Sequence, residues 1–89
     1  MTYLYILESI NTGRLYIGVT DNLLNRLGVH NNGYNQSTKA YRPYRIIFSR
    51  ACETKSEAMD REKKLKNLKS RKKVFDWIQV QNTGSIPEN

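Results

Sequence analysis

Tyr3-Leu4-Tyr5-Ile6-Leu7, followed across a short loop by Leu15-Tyr16-Ile17-Gly18-Val19-Thr20, decides the fold. Residues 2–8 alternate and are rich in Tyr, Leu and Ile, as a strand requires. In the second stretch Leu15, Ile17 and Val19 fall on one face, and Tyr16, Gly18 and Thr20 on the other. Asn11-Thr12-Gly13 between them is a turn signal, so the pair forms an antiparallel hairpin. If the Tyr3-Tyr5-Leu7 face lies beside the Tyr16-Gly18-Thr20 face, Tyr5 and Tyr16 stand together next to a glycine. A glycine weakens a strand unless something must approach its backbone. The plainer account is that tyrosines are ordinary strand formers with hydroxyls at a wet edge.

Outward from the hairpin, Asp21 or Thr20 is positioned to cap a helix in which Leu23, Leu24 and Leu27 share a face and Arg26 and His30 sit at its edge. Asn31-Asn32-Gly33 ends it. Residues 34–43 are polar and irregular, a loop, and Ile46, Ile47 and Phe48 mark a third strand over 44–50. Thr54 with Glu57 forms a capping box for a helix reaching Leu68. After a break near Ser70, Val74, Trp77, Ile78 and Gln81 share the face of a helix over 71–81. The order β-β-α-β-α-α predicts an α/β fold, a small three-stranded sheet flanked by helices, as one domain over 1–81 with a flexible tail over 82–89. Periodicity fixes the hairpin as antiparallel and leaves the third strand's direction open.

The chain has 89 residues, 38% of them hydrophobic, enough for one compact core and too many for a disordered segment. Cys52 is the only cysteine, which excludes an internal disulfide and a thiolate zinc site; it follows an apolar run, as a small core residue would. No charged leader and no apolar run of spanning length is present, so the expectation is a soluble, cytoplasmic protein with no membrane role. The net charge is +7, and residues 55–73 hold nine basic against three acidic groups. Such a stripe attracts phosphate backbones without reading sequence, although a solvated lysine-rich helix face has the same composition.

Glu62 lies four residues after Ala58 and three before Leu65, on the apolar stripe of its helix. A carboxylate facing the protein body must be ion-paired, hydrogen-bonded or bound to a metal. Taken with the tyrosine pair and Arg26, it describes phosphodiester hydrolysis, which needs a divalent cation, a positioned water and positive charge on the phosphate. Glu62 would hold a hard cation, magnesium or manganese, that uses few carboxylates. A tyrosine would position the water or take its proton, and Arg26 offers a planar fork for phosphate oxygens.

At these residues the chain resembles the GIY-YIG nuclease superfamily, and within it small standalone bacterial proteins related to the N-terminal domain of the excision-repair nuclease. The likeness is carried by Tyr3-Leu4-Tyr5-Ile6-Leu7, Leu15-Tyr16-Ile17-Gly18-Val19-Thr20, Asn25-Arg26-Leu27, His30-Asn31, Arg42-Pro43, Glu57-Ala58 and Arg61-Glu62-Lys63-Lys64-Leu65-Lys66. The resemblance implies an antiparallel three-stranded sheet and single-metal hydrolysis leaving 5′-phosphate and 3′-hydroxyl ends. It implies Tyr5 as the water-activating residue with Tyr16 in support, Arg26 on the phosphate, Glu62 as metal ligand and His30 in an auxiliary catalytic role. Lys39 and Arg42, with Lys63 and Lys66 of the basic helix, would touch the nucleic-acid backbone. One departure is that the first-motif glycine is replaced by Tyr3. DNA is the expected substrate ahead of RNA, with low or structure-dependent specificity because the repair and homing enzymes' extra DNA-binding domain has no counterpart in these residues. A catalytically silent nucleic-acid-binding module and an adaptor for an acidic protein are the competing readings; neither needs an inward Glu62.

Overall fold

The computed structural model describes residues 1–35 and 38–83. Strands β1 (Thr2–Ser9), β2 (Leu15–Thr20) and β3 (Tyr44–Cys52) form one antiparallel sheet in the order β2-β1-β3. Helices α1 (Leu23–Asn31), α2 (Lys55–Leu68) and α3 (Arg71–Thr83) complete the order β-β-α-β-α-α. Within the loop expected before β3 the backbone makes a short 3-10 turn, Lys39–Tyr41. α3 runs two residues past the expected end at Gln81, and the remaining part of the expected tail lies outside the described residues. None of the described helices is long and apolar enough to cross a membrane.

Alternation along β1 builds two different layers. Leu4 and Ile6 face the larger core with Ile17, Cys52, Ala58, Leu65, Val74 and Ile78. Tyr5 and Leu7 face the other side with Tyr44, against which Tyr16, Leu23 and Leu27 pack. α2 and α3 therefore cover one face and α1 the other. β3 serves both because its alternation is interrupted: Ile6 pairs with Phe48 and Leu7 with Ile46, leaving Ile47 as an extra residue. That bulge accounts for three consecutive apolar residues in a strand. Ile46 joins the tyrosine side while Ile47 and Phe48 join the larger core, where Phe48 meets Trp77 edge-on at 5.0 Å.

Two details of α1 differ from expectation. The N-cap is Asn22, whose side chain accepts from the Asn25 amide. Thr20 instead exchanges bonds with the Asn22 backbone, and Asp21 accepts from the Thr2 hydroxyl. Leu24 is 79% exposed, because the inward stripe of this short helix runs through Leu23, Leu27 and His30, and Leu24 lies about 100° around from Leu23. The capping of α2 by Thr54 stands: its hydroxyl accepts from the Glu57 amide at 3.1 Å, while Glu57 reaches back to the Glu53 amide at 3.3 Å. The break between α2 and α3 is made by Lys69 in a left-handed conformation, φ +52°, and by Ser70, whose hydroxyl accepts from the Lys73 amide.

Two long-range clamps have no signature in local pattern. Buried Glu8 accepts from Arg45 at 2.8 Å and from Arg71 at 2.7 Å, and Arg71 also donates to the Gly13 carbonyl, fastening the start of α3 to the hairpin loop. The two guanidinium groups hold the Glu8 carboxyl below its ordinary value against the opposing effect of burial. The Asn31 side chain accepts from the Tyr44 amide at 2.6 Å and donates to the Tyr44 carbonyl at 3.1 Å, locking the end of α1 to the start of β3. Asn31→Ala leaves both groups of Tyr44 without that partner and is expected to lower stability by about 1–3 kcal/mol in urea denaturation. An unchanged midpoint would show that the clamp contributes nothing.

Candidate active site

The hairpin register places Tyr5 opposite Gly18 and Leu7 opposite Tyr16. The missing side chain at Gly18 is the space that the Tyr5 ring occupies: a β-carbon there would stand 2.5 Å from the phenolic oxygen and 2.6 Å from Cζ. Tyr5 thus lies flat across β2, 2% exposed, with its ring centroid 6.3 Å from that of Tyr16.

His30, on the inward face of α1, closes the group. It is fully buried, its ring lies 4.7 Å from the Tyr16 ring, and its Nε2 is 3.2 Å from the Tyr5 hydroxyl. Its Nδ1 is 2.7 Å from the hydroxyl of buried Thr38, whose own donor points to the Asn35 carbonyl at 3.4 Å. With the proton on Nδ1, His30 donates to Thr38 and accepts from Tyr5, so each hydrogen along the line has an acceptor. Thr38 has no signature in the sequence: it falls in an irregular stretch, and nothing local marks a threonine that will meet a histidine on α1.

The surroundings push these groups apart. Burial, reinforced by Tyr16, raises the Tyr5 phenol well above its ordinary 10.0; Arg26 opposes this and Glu62 adds to it. Burial, then the Arg26 charge, lowers His30 from its ordinary 6.5. Burial also raises Tyr44, whose ring is 6.1 Å from His30. Near neutral pH the site therefore holds a protonated phenol against a neutral imidazole. Because the folded state resists protonating His30, its contribution to stability is complete above pH 6.5 and is lost as pH falls below that value. Denaturation at pH 7.5 and at pH 5 is expected to show this loss, and His30→Gln to remove that part of the slope; a flat profile between the two would refute it.

Arg26 and Glu62 come from different helices, yet the charges of both act on Tyr5. Glu62 is half-buried, its side chain 22% exposed, and it pairs with Lys66 at 3.3 Å on its own helix. Its partner is thus a lysine one turn away. Lys63 is exposed on α2. Lys39 and Arg42 meet over Gly33, on the connection from α1 to β3. The structure therefore gathers Tyr5, Tyr16 and His30 in contact, sets Arg26 and Glu62 within electrostatic reach, and leaves Lys39, Arg42 and Lys63 outside that group.

A tyrosine pair backed by a buried histidine thus lies on the α1 face of the sheet, under the charges of an arginine and a carboxylate carried on two helices. The model of the GIY-YIG catalytic domain matches residues 1–74, and the chain belongs to that family. It is 36% identical over 73 residues to a UPF0213 protein of Staphylococcus saprophyticus, covering 81% of this chain and 88% of that one. A UPF0213 protein of Bacillus velezensis is 40% identical over 70 residues, covering 78% and 70%. The solution NMR structure of a UPF0213 protein from Bacillus halodurans superposes with a TM-score of 0.58 at 30% identity, covering 100% of both chains.

Proposed function

We propose that this protein is a divalent-metal-dependent endonuclease that hydrolyses phosphodiester bonds of DNA, with low sequence specificity or with structure-dependent specificity. The observation that supports it most is the hydrogen-bonded line from Tyr5 through His30 to Thr38, lying beside Tyr16 and under the charges of Arg26 and Glu62.

Among the described residues no three ligating side chains gather, so a closed zinc-type cage does not fit. A single partly buried carboxylate with a detachable lysine partner suits magnesium or manganese, which keep most of their waters. Held at Glu62, such an ion would supply charge to the phosphate and acidity to a bound water. The protein groups do the rest. The Tyr5 oxygen takes the proton of the attacking water while its own proton passes to His30 Nε2. This relay avoids a free phenolate, which burial disfavours, and starts from an imidazole that is neutral near pH 7 with Nε2 open to the proton; burial and the Arg26 charge disfavour the imidazolium, so it forms only transiently. Thr38 holds the His30 ring through Nδ1. Arg26 presents its fork to the non-bridging oxygens, and Tyr16, the more exposed tyrosine, supports water or phosphate from the rim. Lys39, Arg42 and Lys63 serve the backbone beyond, and Lys66 joins them once Glu62 turns to the cation.

A catalytically silent nucleic-acid-binding module is favoured by one observation, the near-complete burial of Tyr5. The two separate in a digestion panel of plasmid, single-stranded and branched DNA and RNA, with magnesium or manganese and with EDTA. Cleavage that needs the metal and ends in 5′-phosphates supports the enzyme. Silence on every substrate, or cleavage undiminished by EDTA, defeats it.

A further inference from the structure

β2 is an outer strand of the sheet, and a groove of about 560 Å³ runs along it between the hairpin and the α2–α3 junction. The floor is apolar, with Leu15 and Leu65 among its lining. The charged groups that line it are all cations, namely Arg14, Lys66, Lys69 and Arg71. Lys66 and Arg71 already answer Glu62 and Glu8. Arg14 lies over the Tyr41 ring at 4.3 Å, and among the described residues neither Arg14 nor Lys69 has a carboxylate partner. Lys69 also holds the left-handed conformation that glycine adopts at helix ends without steric penalty. A lysine kept in a backbone state it disfavours points to use of its side chain. Tyr16 belongs to both places: its ring packs on His30 and it lines this groove.

We propose that the groove is the path of the substrate strand away from the scissile bond, with Arg14 and Lys69 receiving the backbone phosphates next to the one at Tyr16. The inference rests on the nuclease reading above and names where its substrate lies. A lining that carries cations and no carboxylate selects a polyanion, and an apolar floor accepts sugars and bases, so a nucleic-acid strand fits where a neutral peptide added to the β2 edge would leave Arg14 and Lys69 unanswered.

The test measures binding of a short fluorescent single-stranded DNA oligonucleotide across a salt titration, in EDTA so that binding is separated from cleavage. Lys69→Gly and Arg14→Gln are each expected to lower the slope of log affinity against log salt by about 0.7, and the double variant by about twice that. Lys69→Gly relieves the left-handed backbone, so its melting temperature is expected to rise by about 2–5 °C while its affinity falls, which separates the side chain's role from misfolding. Lys64→Gln, which removes the same charge from the α2 surface outside this groove, is expected to leave the slope unchanged. Groove variants that keep the wild-type slope while the wild type binds and cleaves would overturn the strand path and leave the nuclease reading standing. An equal loss in Lys64→Gln would reduce the effect to net charge and likewise overturn it. A wild type that neither binds nor cleaves defeats both.

Discussion

Glu62→Ala is expected to lower metal-dependent cleavage by roughly 10³-fold, about 4 kcal/mol of transition-state stabilisation, while leaving the melting temperature nearly where it was. The two expectations have separate grounds. Among the described residues Glu62 is the one carboxylate whose charge acts on Tyr5, so its removal takes away the anchor proposed for the cation. It pairs with Lys66 one turn along the same helix, and such pairs contribute only about 0.3–0.5 kcal/mol. Glu62→Gln keeps the volume and loses the charge, and should be as inactive as alanine. Purified variants are compared by initial rate at saturating magnesium and by thermal melting. Equal activity in wild type and Glu62→Ala on every substrate would trace the cleavage to a contaminant.

Gly18→Ala is expected to act the other way, through the fold. The added β-carbon would stand 2.5 Å from the Tyr5 oxygen, far inside van der Waals contact. Tyr5 cannot swing aside easily, because it is buried, packed with Leu7 and Tyr44, and tied by its hydroxyl to His30. Overpacking of this kind costs about 1–3 kcal/mol, which in a domain of this size lowers the melting temperature by roughly 5–20 °C. Activity should fall further than stability alone explains, since the ring that must move carries the proposed water-activating oxygen. Combining Gly18→Ala with Tyr5→Leu should recover part of the lost stability, a coupling that two independent sites would not show. An alanine variant that melts like the wild type would mean that the glycine is not there to admit the ring.

These two residues also show what the sequence makes legible. Gly18 interrupts an otherwise regular strand, and Glu62 interrupts an apolar helical stripe; each breaks a local period, and such breaks can be seen without a structure. The hairpin, both apolar faces of β1, the Thr54 cap and the pause at Ser70 follow from short-range pattern in the same way. What escaped depends on residues distant in sequence. Glu8 is an acidic residue in a strand until Arg45 and Arg71 meet it. Thr38 is a loop threonine until His30 reaches it. The bulge at Ile47 is invisible because three apolar residues in a row suit a strand buried on both faces just as well. Leu24 shares the apolar pattern yet faces solvent, because a nine-residue helix gives too few turns to define its inward stripe.

β1 is the middle strand, and its consecutive residues serve opposite purposes: Leu4 and Ile6 build the larger core, while Tyr5 and Leu7 build the tyrosine layer. Strand pairing is unforgiving of such a division, because slippage by one position turns every side chain to the other face. Here it would send Tyr5 under α2 and α3 and leave Leu4 and Ile6 facing His30. A chain mispaired in this way has no partially working form, since the error that removes the proposed water-activating oxygen also removes the core. Folding thus proofreads the site, and natural variation that tunes activity without endangering the fold has room mainly on the helices and at the sheet's edge, where Arg26, Glu62 and the cations beside β2 reside.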